Sequence, residues 1–250
     1  MLAPMLRSRS ARRSRALWLP GVVLALVLAA CGSSSTTTSS SVAANASARV
    51  ATSASATGTA GLPAGCHEVA APPPKGPQHL EAPTTRLDPA KSYAVKLVTN
   101  CGEIDIALSV KQAPKTTSSF AYLVSRGFYT DLTFHRIVPD FVIQGGDPLG
   151  TGLGGPGYTV VEAPPSNLSY TVGTVAMAKT STQPSGASGS QFFIVSGPQA
   201  STLPPQYALV GHVTSGQSVV NAIQQVPTNA DGSGMPLSPV VIRSATLVVG

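Results

Sequence analysis

The chain has 250 residues, room for one domain of ordinary size with extensions, and only 10% of them are charged, against about 25% in a typical soluble protein. The net charge of +6 invites a nucleic-acid reading, but Arg7, Arg9, Arg12, Arg13 and Arg15 crowd the first fifteen positions and no acid precedes Glu68. Without residues 1–30 the balance is 11 basic against 10 acidic residues; a nucleic-acid binder keeps its basic patch on the folded part, so no such partner is expected.

The Arg-rich start and the apolar run over 16–30 read as a secretory signal peptide over residues 1–30. The run is short for a membrane span, which takes about 20 residues, and Pro20-Gly21 breaks it. It ends in Leu28-Ala29-Ala30-Cys31-Gly32, which resembles the bacterial lipobox, a small-residue cleavage site directly before the cysteine that receives lipid. That resemblance implies a mature chain that begins at Cys31. Acyl chains, palmitate among them, would hold it to the outer side of the bacterial cell membrane. An ordinary signal peptide with a coincidental cysteine is the competing reading.

Residues 31–91 read as a linker. Ser and Thr fill 15 of the 29 positions from 32 to 60, a solvated composition with nothing to bury. From 62 to 90, Pro63, Pro72-Pro73-Pro74, Pro77, Pro83 and Pro89 predict a stiffer, extended spacer between membrane and domain. After Trp18 the next aromatic is Tyr93, and the other eleven fall between it and Tyr207. So long a stretch without aromatics is poor in core-forming residues, which places the folded domain at 92–250. Of three cysteines, lipidation of Cys31 leaves Cys66 and Cys101, expected to form a disulfide in an oxidising compartment. Two free thiols or a metal pair are the alternatives, and the lack of a nearby His cluster argues against metal.

Within the domain, residues 93–98 and 104–108 alternate around Asn100-Cys101-Gly102 and predict a two-stranded hairpin. Ala113-Pro114-Lys115-Thr116 opens a helix that presents Phe120, Leu123 and Val124 on one face and ends at Gly127. Short β-like runs follow at 132–137, 141–144, 173–178, 191–195, 207–213 and 240–248, with a second helix over 218–225. Many short strands, Gly/Pro turns and two helices predict a mainly β protein built on a closed barrel.

Periodicity goes no further, but the residues do. Phe134-His135-Arg136-Ile137-Val138-Pro139-Asp140-Phe141-Val142-Ile143-Gln144-Gly145-Gly146-Asp147 resembles the signature of cyclophilin-type peptidyl-prolyl cis-trans isomerases. The resemblance continues in Gly173-Thr174-Val175-Ala176-Met177-Ala178 and in Gly189-Ser190-Gln191-Phe192-Phe193-Ile194. It extends over nearly the whole domain, from the helix at Ala113-Pro114-Lys115-Thr116 to the late strand at 207–213. It implies a closed eight-stranded antiparallel β-barrel capped by two α-helices, with the site on the barrel's outer face.

The implied reaction is rotation about an X–Pro amide in proline-containing polypeptides. No bond breaks, so no nucleophile, metal or cofactor is required. The barrier of about 18–20 kcal/mol arises because nitrogen shares its lone pair with the carbonyl, and only interactions stronger in the twisted state lower it. By resemblance Arg136 is the catalytic arginine, and Gln144, eight residues on, orients it and contacts substrate. Phe141, Val142, Phe193, Leu203 and Tyr207 would form the apolar pocket for the proline ring. Ala178, Lys179 and Gln191 would line the groove for the preceding residues. The implied protein is a monomeric, lipid-anchored, extracytoplasmic isomerase that speeds the folding of secreted or envelope proteins. A proline-binding chaperone with little turnover is the alternative.

Three departures stand out. Val142 replaces a frequent Met, Tyr207 a frequent His, and the family's frequent tryptophan has no counterpart near Thr202; the last implies weak cyclosporin binding. Lys179 in place of a frequent Asn weighs little, because the main chain makes the implied contact there. Gly150-Thr151-Gly152-Leu153-Gly154-Gly155 matches a dinucleotide fingerprint in letters only: Pro156-Gly157 follows where a helix is needed. No G-x-S-x-G elbow supports a serine triad, His135 sits inside the isomerase block as a structural residue, and four scattered histidines lack zinc spacing.

Overall fold

In the computed structural model, which describes residues 61–250, the first alternating runs form the expected hairpin. β1 (Tyr93–Thr99) and β2 (Gly102–Leu108) pair antiparallel, with Val95 opposite Ile106 and Leu97 opposite Ile104. All four side chains are fully buried, because period-two alternation puts every second residue on the core face. Gly102 turns the hairpin at φ 130, where a Cβ would stand 2.7 Å from the Val219 side chain.

Helix α1 (Pro114–Ser125) begins with proline in its first turn, where the missing N–H costs nothing. Its open donors are met from a distance: Glu162 accepts from the N–H groups of Lys115 (3.0 Å) and Thr116 (2.7 Å), a carboxylate at the positive end of the helix dipole. Phe120, Leu123 and Val124 are buried as the spacing predicts, and Thr116 through Ser119 are buried with them.

The expected strand at 132–137 is divided into β3 (Leu132–Thr133) and β4 (Arg136–Val138). Then come β5 (Val142–Gly145), β6 (Val160–Val161), β7 (Thr174–Met177), β8 (Ala187–Ser188) and β9 (Phe192–Val195). A 3-10 helix (Pro198–Thr202) leads on to β10 (Leu209–Ser215), α2 (Gln217–Ile223) and β11 (Val241–Val249). β6 and β8 form a small ribbon of their own, which the sequence pattern did not signal.

The main sheet corrects the expected eight-stranded closed barrel. Nine strands run in the order β3-β11-β1-β2-β10-β7-β9-β5-β4, every pair antiparallel. The sheet curls, and its edges, β3 and β4, do not pair with each other. The reason is local. Only Phe134-His135 separates them, and the chain crosses that gap instead of turning, with the Phe134 N–H on Val240 O and the Ile137 N–H on Gly234 O.

Inside the curl Phe120, Tyr129, Phe134 and Phe192 pack edge-to-face around Phe192, with centroids 5.4–5.9 Å apart. The next residue on β9 points the other way. Phe193 leaves the main core for a second apolar cluster on the outer face of the sheet.

Residues 61–91, expected as a spacer, belong to the same compact unit as the sheet. Leu62, Cys66, Leu80 and Leu87 pack against the main core. Cys66 is disulfide-bonded to Cys101, and the Leu87 N–H donates to Ser118 Oγ at 2.9 Å. The start of the folded part therefore lies before residue 92. The aromatic count misplaced it because this strap anchors through aliphatic side chains, and its prolines suit an extended path with few backbone partners. The expected signal peptide, Cys31 and residues 32–60 lie outside the described residues.

Candidate active site

β4, β5, β9 and β7 place the expected site residues side by side. Arg136 on β4 stands opposite Gln144 on β5, Gln144 opposite Phe193 on β9, and Phe193 opposite Ala176 on β7. Because directly paired residues share a face of the sheet, one row crosses four strands: cation, amide, aromatic ring, methyl.

The outer cluster contains Phe141, Val142, Ala178, Phe193, Leu203 and Tyr207. All five residues expected to hold the proline ring are thus together. Phe193 is 4% exposed and forms the floor. Tyr207 meets it edge-on, with centroids 5.5 Å apart and planes at 85°. Phe141 comes from the turn between β4 and β5, Leu203 follows the 3-10 helix, and both are half-buried. The result is an apolar cup with half-buried walls.

Sequence reasoning missed Leu168, Tyr170, Ala176, Val195 and Ala200 in this cluster. Tyr170 is fully buried and packs at 5.9 Å on the Tyr207 ring. It sits in an irregular segment where no periodicity could flag it. Burial pushes its phenol up to about 12, so the hydroxyl keeps its proton throughout the neutral range.

Arg136 is half-buried at the cup's edge, and among the described residues no carboxylate forms an ion pair with it. The Gln144 side chain makes no hydrogen bond to the guanidinium either. Its Nε2 donates instead to Gln191 Oε1 at 3.0 Å, and Gln191 Nε2 donates to the Gly152 and Gly154 carbonyls at 2.9 Å each. The two glutamines thus link the sheet to the glycine-rich loop. Asp147, almost fully buried, ties that loop down by accepting from the N–H groups of Leu149, Thr151 and Gly152.

Gln144, Gln191, Ala178 and Lys179 line a groove of about 480 Å³ beside the cup. Lys179 Nζ lies 5.6 Å from the Tyr207 ring centroid and donates to the Thr180 and Gln183 carbonyls. His135, next to the catalytic candidate, has both ring nitrogens buried without a partner. Among the described residues no group of three His, Cys, Asp or Glu side chains could hold a metal ion.

Comparison with known proteins gives the family of the chain. The family model described as cyclophilin type peptidyl-prolyl cis-trans isomerase/CLD matches residues 94–247. The chain belongs to the cyclophilin-type peptidyl-prolyl cis-trans isomerases. It is 37% identical over 176 residues to a probable peptidyl-prolyl cis-trans isomerase A of Mycobacterium bovis, covering 64% of this chain and 94% of that protein. It is 39% identical over 155 residues to peptidyl-prolyl cis-trans isomerase ppi1 of Schizosaccharomyces pombe, 60% of this chain and 96% of the relative. A spliceosome-associated protein CWC27 homolog of Danio rerio is 38% identical over 165 residues, but the match spans only 34% of that longer protein. Among solved structures, a Cryptosporidium parvum cyclophilin type isomerase determined in the presence of the dipeptide Ala-Pro superposes with a TM-score of 0.57 at 31% identity. The match covers 62% of this chain and 98% of that one. The cyclophilin fold here is the nine-stranded curled sheet with its two helices.

Proposed function

We propose that this cyclophilin isomerises X–Pro bonds in extracytoplasmic polypeptides, with Arg136 stabilising the twisted amide. The observation that carries the reading is the row across β4, β5 and β9: a guanidinium that pairs with no carboxylate among the described residues, beside an apolar cup. In this reading Phe141, Val142, Phe193, Leu203 and Tyr207 take the proline ring out of water. Ala178, Lys179 and Gln191 line the groove for the residues before it.

As the amide twists, its lone pair localises on nitrogen, and the arginine's fixed fork of donors meets charge that the planar ground state does not present. Donors already in place need no reorganisation at that moment. Lowering the barrier by about 7 kcal/mol corresponds to roughly 10⁵-fold. Uncatalysed X–Pro isomerisation takes tens of seconds or longer, slow enough to limit folding of clients.

The lipobox-like Leu28-Ala29-Ala30-Cys31 supports a lipid-anchored, extracytoplasmic protein, and the Cys66–Cys101 disulfide suits an oxidising compartment. Thr202, exposed at the end of the 3-10 helix, supports weak cyclosporin binding.

The test is isomerisation of a short Ala-Pro peptide followed by exchange NMR, with Arg136→Ala as control. Acceleration by the wild type and its loss in the variant are expected. Binding without acceleration in either protein would overturn the catalytic reading and leave a proline-binding chaperone.

A further inference from the structure

The family model begins at residue 94, so the strap over residues 61–91 lies outside it, yet the strap reaches the site. The Lys75 N–H donates to Pro148 O at 2.9 Å and the Leu80 N–H to Pro156 O at 2.8 Å. Those carbonyls flank the glycine-rich loop. Just beyond it, Gly157 at φ 97 lies so close to the strap that a Cβ would stand 2.7 Å from Gln78 O and from His79 Cα; only glycine permits that approach.

The strap is itself held at several points. Besides the disulfide, the His67 N–H donates to Asn100 O at 2.9 Å and Asn100 Nδ2 returns a bond to His67 O at 2.7 Å. The Lys75 ammonium reaches the Gly127 and Phe128 carbonyls, at 3.3 and 3.0 Å, just past the end of α1.

The middle of the clamped loop faces the other way. Its Gly152 and Gly154 carbonyls fix Gln191, Gln191 fixes Gln144, and Gln144 stands in the row between Arg136 and Phe193. Four of the six residues from 150 to 155 are glycine, and glycine has the most backbone freedom to lose. Such a loop holds its carbonyls in one geometry only with support from outside. Asp147 supplies it from within the domain and the strap from the surface.

We infer that residues 75–80 are a positioning element of the active site: by clamping both ends of the 148–157 loop, they hold Gln191 and Gln144 in the orientation the substrate groove requires. The inference rests on the isomerase reading of that groove.

The test compares two double variants of the full chain, Lys75→Pro with Leu80→Pro and Lys75→Ala with Leu80→Ala. Both lose the same side chains, but only the proline variant loses the two N–H donors. Relative to the alanine variant, the proline variant is expected to shift or broaden the side-chain amide resonances of Gln144 and Gln191. It is also expected to lower kcat on the Ala-Pro peptide about tenfold with KM little changed, since small misplacement of a positioned group acts on the transition state. The single proline variants, each releasing one end of the loop, carry the same test should the double variant not fold. Glutamine resonances and rate equal to those of the alanine variant would overturn the inference. If the wild type itself fails to accelerate exchange, the isomerase reading falls, while the glutamine resonances still decide the positioning.

Discussion

The hydroxyl of Tyr170 holds both backbone polar groups of Tyr207, donating to its carbonyl at 2.8 Å and accepting from its N–H at 2.9 Å. One buried side chain thereby fixes the backbone that carries a wall of the apolar cup. Tyr170→Phe keeps the ring and removes only these two bonds. It is expected to destabilise the protein by about 1–3 kcal/mol, the cost of leaving such groups without partners, and to weaken Ala-Pro peptide binding. Urea unfolding and a peptide titration read the two effects; a variant with wild-type stability and affinity would refute the role.

Arg136 is expected to resist replacement by lysine. Arg136→Lys keeps the charge but replaces a planar fork with a hydrated point charge. If the fork contributes about 2 kcal/mol more in the twisted state than an ammonium does, kcat/KM falls roughly thirtyfold. Peptide affinity should change little, because the apolar cup is untouched. Exchange NMR at saturating and limiting peptide separates the two; a lysine variant as fast as wild type would remove the fork from the mechanism.

Stability at acid pH should depend on His135. Burial holds its pKa below the ordinary 6.5; Asp147 opposes that shift and the Arg136 charge adds to it. The unfolded ring takes up its proton near 6.5 and the folded ring only at lower pH. In that window the unfolded chain binds more protons, so stability is full above it, falls as the pH drops through it, and levels off below the folded value. His135→Phe is expected to flatten the fall that begins near pH 6.5 and runs toward acid. Urea unfolding across that range checks it, and an equally steep fall in the variant would rule His135 out.

Reducing the disulfide should loosen the strap before the sheet. Cys66 and Cys101 are 35 residues apart, and closing such a loop is worth about 4 kcal/mol in the chain-entropy description. Guanidinium unfolding with and without reductant is expected to show a lower midpoint for the reduced chain, with hydrogen exchange rising first over residues 61–91. Identical unfolding in both conditions would mean the bridge adds nothing to the strap's other bonds.

Two kinds of signal made the fold and the candidate site legible. The alternating runs at 93–98 and 104–108 became β1 and β2 because a half-buried strand writes its burial into every second residue. The continuous block from 134 to 147 resembled a family signature because Arg136, Phe141 and Gln144 are close in the chain as well as in space. Tyr170 and the Gly152 and Gly154 carbonyls had no such signal. Their partners, Tyr207 and Gln191, lie 37 to 39 residues away, and hydrogen bonds across that distance leave no periodicity.

The sequence by itself determined the β1–β2 hairpin, the buried face of α1 and the chemistry-bearing block, all properties of neighbouring residues. The tertiary structure alone decided that Phe192 and Phe193, adjacent and alike, serve different ends. Strand geometry sends one into the main core and the other into the outer apolar cup. It also decided that a proline-rich stretch with the composition of a spacer lies along the domain and hydrogen-bonds both ends of the glycine-rich loop. Composition records how much a segment can bury, but where its few leucines and backbone donors find partners depends on surfaces that exist only once the rest of the chain has folded.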